Sequence, residues 1–152
     1  LPTEAQWEHA CRAGTTTEWF CGDSLEVSKY GWIVGKSGSI SENSDQRSYP
    51  VGQKLPNGFG LFDLYGNCSE LCSDWYAEEY YSNSPVADPS GPATGIKRVM
   101  RGGSYFGGTG GARSASRYPI RPNGSYLGTG FRPVLLIDPA APKPTPEPSA
   151  EE

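Results

Sequence analysis

The chain has a single histidine, His9, a single methionine and no cysteine after Cys72. One imidazole excludes the multi-histidine iron and zinc centres, which need several soft or borderline ligands converging on one ion. Cys11, Cys21, Cys68 and Cys72 allow three disulfide pairings, and sequence alone does not choose among them. The Cys68–Cys72 spacing lacks further soft partners for zinc, so buried thiols or one disulfide are expected instead. No apolar run approaches the roughly 20 residues that span a bilayer, which excludes membrane insertion by these residues. Basic clusters are also missing. The formal net charge is −4 and the arginines are scattered, which argues against a nucleic-acid ligand, because phosphate neutralisation needs grouped cations. There is no internal repeat.

Glycine and proline are abundant, at 20 and 14 residues. Glycine supplies the positive-φ positions of tight turns, so the composition predicts a loop-rich α+β domain. Trp7, Trp19, Trp32 and Trp75 are expected to provide much of the buried area. Thr3 and Gln6 form a capping-box pair, and Trp7, Ala10 and Cys11 share one helical face, which predicts a helix over 3–13 stopped by Gly14. His9 lies on that helix, and no partner in the sequence marks it as a general base.

Residues 15–49 read as irregular, with Trp19, Phe20, Tyr30 and Trp32 as anchors and Ser37–Ser48 as a surface loop. Pro56-Asn57-Gly58 signals a turn. Strands are expected at Leu71–Tyr76, Arg98–Arg101 and Gly130–Ile137, with a proline-stiffened loop over 77–97 and a flexible segment over Gly107–Gly111. Residues 138–152 are Pro-, Ala- and Glu-rich and are expected to be a disordered tail. Leu1-Pro2 opens in mid-motif, so the chain reads as the C-terminal portion of a larger domain. The compartment stays open, and an extracytoplasmic one is compatible.

The most informative stretch is Asn57-Gly-Phe-Gly-Leu-Phe-Asp63-Leu-Tyr-Gly66-Asn67-Cys68-Ser69-Glu70. It gathers two carboxylates, a carboxamide and a bending glycine, which suits a hard cation such as calcium. Farther on stand Arg101-Gly-Gly-Ser104-Tyr105, Arg113-Ser-Ala-Ser-Arg117 and Gly130-Phe-Arg132. In order, and with the opening Leu-Pro-Thr-Glu-Ala-Gln-Trp-Glu-His-Ala-Cys-Arg-Ala-Gly, these blocks resemble the formylglycine-generating enzyme (sulfatase-modifying factor) family over residues 1–137.

The resemblance implies a C-type-lectin-like fold and a bacterial source. It also implies a calcium site formed by the Asp63 and Glu70 side chains with the Gly66 and Cys68 carbonyls. The family's best-known reaction oxidises a sulfatase cysteine to formylglycine, using dioxygen and copper held by two cysteines just beyond the Gly-Gly-Ser-aromatic block. Here those positions are Gly107 and Ala112. The tryptophans that usually flank the loop glutamate are replaced by Ser69 and Leu71. Ser104 matches the family's pocket serine, but copper is not expected without thiolates. The related iron enzymes draw histidines from a separate upstream domain, and this chain cannot supply them.

The expected function is therefore a calcium-stabilised binding module, with no catalytic residue assigned. Ser104, Tyr105, Arg113, Arg117 and Tyr126 are the candidate ligand contacts, for a peptide, a glycan or a partner protein domain. The alternative is a family enzyme completed by parts of a longer parent protein.

Overall fold

The computed structural model describes residues 1–34 and 44–135. Its elements are helices α1 (Glu4–Arg12) and α2 (Val27–Tyr30) and strands β1 (Gly31–Trp32), β2 (Tyr65–Gly66), β3 (Ser69–Trp75), β4 (Arg98–Arg101), β5 (Tyr118–Ile120) and β6 (Thr129–Phe131). Single 3₁₀ turns lie at Tyr80–Ser82 and Thr109–Ala112. The main sheet has the order β5-β4-β3-β6; β4 is antiparallel to β3 and β5, whereas β6 runs parallel to β3. A second, two-stranded parallel sheet joins β1 to β2.

The capping box forms as its residues dictate. Thr3 Oγ1 accepts from the Gln6 amide, and Gln6 Oε1 accepts from the Thr3 amide. The helix stops one residue earlier than expected, because Ala13 itself takes the left-handed conformation, at φ 47°. Trp7 and Cys11 face the core, where they meet Val27, Ile33, Leu64, Tyr65, Cys72 and Val99. Along β3 the even-numbered side chains Glu70, Cys72 and Asp74 turn inward, while Leu71, Ser73 and Trp75 point away. Period-two alternation thus gives the sheet one buried face and one open face.

The inward face is unusually ionic. Arg101 is fully buried, and it donates to the Ser116 carbonyl (2.8 Å), the Ser114 carbonyl (2.7 Å) and Glu8, with Glu4 at 3.4 Å. Buried Glu4 is also clasped by Arg117 through two bonds of 2.7 and 2.8 Å. These pairs tie α1 to β4 and to the segment before β5.

Several sequence expectations are corrected. The stretch 15–49 is not wholly irregular, since it contains α2 and β1. Strand β3 begins at Ser69, two residues before the expected Leu71, because Ser69 pairs with Thr129 of β6. The last strand is only Thr129–Phe131, and 132–135 leave the sheet as Arg132 turns to Glu70. Gly107–Gly111 runs into a 3₁₀ turn that buries Thr109 and Ala112. Much of the expected Ser37–Ser48 loop, residues 136–137 of the expected last strand and the 138–152 tail lie outside the described residues.

Each of the four cysteines is a free thiol. Burial pushes the Cys11 thiol up to about 12 and raises that of Cys72 as well. Thiolate is the reactive form. Native protein treated with iodoacetamide near neutral pH should therefore stay unmodified at Cys11 and Cys72, and both should react in denaturant. Peptide mass spectrometry reads the result, and native labelling of either residue would contradict this packing.

Candidate functional site

Two cavities receive the residues singled out in the sequence. The first, of about 620 Å³, is lined by Asp63, Asn67, Cys68, Glu70, Phe131 and Arg132 among others. Asp63 sits at φ 57°, and its Oδ2 accepts from the Gly52 amide at 2.7 Å. Its Oδ1 is buried without a hydrogen-bond partner. Such an orphaned anionic oxygen is costly unless something cationic or hydrogen-bonding meets it.

Glu70 is differently placed. Its Oε2 accepts from Trp7 Nε1 (2.7 Å) and Arg132 Nε (3.0 Å), and its Oε1 accepts from Arg132 (2.5 Å). Both oxygens are engaged, so Glu70 serves as a junction between α1, β3 and the segment after β6. Gly66 sits at φ 69° in β2 and donates its amide to the Gly102 carbonyl. Cys68 is half-buried beside Gly130. Asp63, Cys68 and Glu70 thus share one cavity wall, with only Asp63 presenting an uncommitted atom. Among the described residues, no three His, Cys, Asp or Glu side chains gather as a metal cluster.

The second cavity, of about 420 Å³, lies against the open face of the main sheet. Ser104 reaches it from the turn after β4, and Tyr126 from the turn before β6. Gly128, at φ 71°, lets the chain pass close to Ser104 and the Tyr105 ring, where a Cβ would crowd the serine. Among the described residues the Ser104 hydroxyl makes one long contact, accepting from the Phe106 amide at 3.4 Å.

The five expected ligand contacts do not form one surface. Ser104 and Tyr126 share this cavity. Tyr105 is buried, with its amide on the Asn67 carbonyl and its own carbonyl accepting from Ser44. Arg113 is exposed and pairs with Glu18 at 3.5 Å and with the Gly110 carbonyl. Arg117 is held by Glu4 and by the Ala77 and Glu78 carbonyls, against the rings of Tyr76 and Tyr81. Its role in the structure is to tie α1 to the 77–97 loop.

Sequence reasoning missed Ser69, Thr129, Lys97 and Arg121, which line the Ser104 cavity. The Ser69–Thr129 neighbourhood comes from parallel pairing across 60 positions, for which no local signal exists. It also missed Asn67 as an organiser. The Asn67 carboxamide accepts from the Tyr49 amide and donates to the Tyr49 carbonyl, both at 3.0 Å.

Gly107 and Ala112 carry no sulfur. The Gly107 amide donates to the Ser104 carbonyl, its carbonyl accepts from Val34, and Ala112 is fully buried. The residues here do not fit a Cu(I) ion, which asks for soft ligands.

The fold and the two cavities define a lectin-like domain built on a small mixed sheet. The model of the sulfatase-modifying factor enzyme 1-like domain matches residues 1–137, and the chain belongs to that family. It is 41% identical to the formylglycine-generating enzyme of Streptomyces coelicolor over 112 residues, covering 70% of this chain and 36% of that protein. It is 35% identical to the serine/threonine-protein kinase pkn1 of Chlamydia pneumoniae over 135 residues, covering 87% of this chain and 20% of that one. Treponema denticola variable protein 1 superposes with a TM-score of 0.72 at 36% identity, over 86% of this chain and 45% of that chain. PvdO from Pseudomonas aeruginosa superposes at 0.71 with 23% identity, over 86% and 50%, which speaks to the fold alone. The fold is thus the α+β, C-type-lectin-like one of this family, and the chain spans half or less of each of these relatives. Among the described residues, no helix is long and apolar enough to cross a membrane.

Proposed function

We propose that this chain is a ligand-binding domain of its family and that it binds through the Ser104 cavity. The observation that carries the reading is the replacement of the expected sulfur positions by Gly107 and Ala112, beside an intact cavity with a nearly uncommitted serine. Tyr126 and Leu127 stand exposed at its rim. A rigid aromatic beside adaptable hydroxyls suits recognition of a peptide, a glycan or a partner domain. The kinase name of the chlamydial relative supports a protein or peptide among these.

The test is a binding screen against immobilised peptides and glycans, repeated with Tyr126→Ala. Loss of this exposed ring should weaken any true ligand at least tenfold, or about 1.4 kcal/mol. Undiminished binding by the variant would remove the Ser104 cavity from the account.

A structural calcium ion is part of the same reading. Asp63 would hold it with its uncommitted Oδ1, assisted by the Gly66 and Cys68 carbonyls. Glu70 would join only by sharing its oxygens with Arg132. The ion would supply charge neutralisation and loop rigidity. Saturation at 100 times Kd adds about 2.7 kcal/mol to stability. EDTA should accordingly lower Tm by several degrees in the native chain and leave Asp63→Asn unmoved. A native Tm indifferent to EDTA would discard the ion.

The identity to the Streptomyces enzyme favours a second reading, an oxidase completed by segments of a longer parent protein. It would have to draw its copper ligands from outside residues 73–152, where cysteine is absent.

A further inference from the structure

Lys97 and Arg121 are the two lysine or arginine side chains among the described residues with no carboxylate, carbonyl or ring partner. Both line the Ser104 cavity, and among the described residues no carboxylate lines it with them. In a chain whose net charge is −4, two unpaired cations lining one cavity run against the composition. Like charges brought into one concavity repel, and a bound anion relieves that repulsion while gaining from both.

The polar wall points the same way. Ser69 lines the cavity, and among the described residues its hydroxyl makes no hydrogen bond. Thr129 donates only to the Met100 sulfur, at 3.6 Å, and a thioether is a weak acceptor. Ser104 retains its hydroxyl proton for a ligand, since its one contact is as acceptor. Two spare hydroxyl donors, and a third held only by a weak sulfur contact, therefore join a lysine and an arginine around one space. Arginine can meet two oxygens at once through its planar fork, and lysine adds a compact charge. A neutral ligand would leave both cations without a counter-charge.

We propose that the Ser104 cavity takes an oxyanion, the sulfate, phosphate or carboxylate group of its ligand, with Lys97 and Arg121 supplying charge and Ser69, Ser104 and Thr129 supplying hydrogen bonds. The assignment rests on the reading of that cavity as the binding site. Tyr126 then packs beside the part of the ligand that carries the anion.

The test is an amide NMR titration of the whole chain with inorganic sulfate, inorganic phosphate and acetate, against sodium chloride at matched ionic strength. Saturable shifts at Ser104, Gly128 and Thr129 with an oxyanion, absent with chloride, are expected. Tetrahedral anions saturating first assign a sulfate or phosphate ligand, and acetate saturating first assigns a carboxylate one. The double variant K97M/R121Q should bind at least tenfold more weakly with its Tm unchanged, because neither side chain has a structural partner. If that variant unfolds, R121Q alone decides by the same affinity criterion, since Arg121 is exposed. Shifts that grow linearly, that match chloride or that persist in the variant would overturn the proposal. A screened neutral ligand that depends on Tyr126 but not on Lys97 or Arg121 would remove the anion while keeping the cavity as the binding site.

Discussion

Arg101→Met is expected to lower the unfolding free energy by about 3–5 kcal/mol, the usual result of removing one partner from a buried ion pair. Methionine fills much of the same volume, so packing loss is a minor part. The loss comes from what stays behind. The Ser114 and Ser116 carbonyls lose their donor, and Glu4 keeps Arg117 as its one ion-pair partner in a place that is 1% exposed. Each buried acceptor left bare costs about 1–3 kcal/mol. Urea denaturation should show a lower midpoint with an unchanged m-value. A variant within about 1 kcal/mol of the native chain would mean that water or rearrangement satisfies these groups.

Gly66→Ala is the second change with a large expected effect. Gly66 sits at φ 69°, and an added Cβ would overlap the Trp32 carbonyl oxygen and crowd the Ile33 side chain. The left-handed backbone costs a β-carbon residue about 1–2 kcal/mol. Forcing an extra methyl into a packed site adds about 1–3 kcal/mol. The two effects together give a loss of about 2–5 kcal/mol, again read from a urea midpoint. The same overlap would part β1 from β2, because Trp32 and Gly66 are paired there. An alanine variant of native stability would contradict the close approach of these strands.

Legibility in the sequence followed the range of the interaction. The capping box was readable because Thr3 and Gln6 are three residues apart and satisfy each other's backbone donors. Strand β4 was readable over Arg98–Arg101, where Gly102 and Gly103 follow and both take positive φ. Long-range ionic choices were not readable. Arg117 looked as available as Arg113 in a serine-rich stretch, yet it reaches Glu4 across 113 positions. Glu70 looked like a free carboxylate, yet Arg132 and Trp7 claim both of its oxygens. The cation pair at Lys97 and Arg121 flanks β4 and β5, and only the antiparallel pairing of those strands brings the two ends together. What the sequence did carry unaided was the absence of cysteine after Cys72, because an absent atom needs no fold to be seen.

The proposal that stands above the others is that this lectin-like scaffold recognises a ligand and does not generate formylglycine. The most direct measurement is mass spectrometry of a sulfatase-type cysteine peptide incubated with the purified chain, Cu(I) and dioxygen. The cysteine should be recovered without conversion to formylglycine at any enzyme-like rate. Aldehyde that accumulates in proportion to the chain, and survives Cys→Ser replacement at positions 11, 21, 68 and 72, would contradict it.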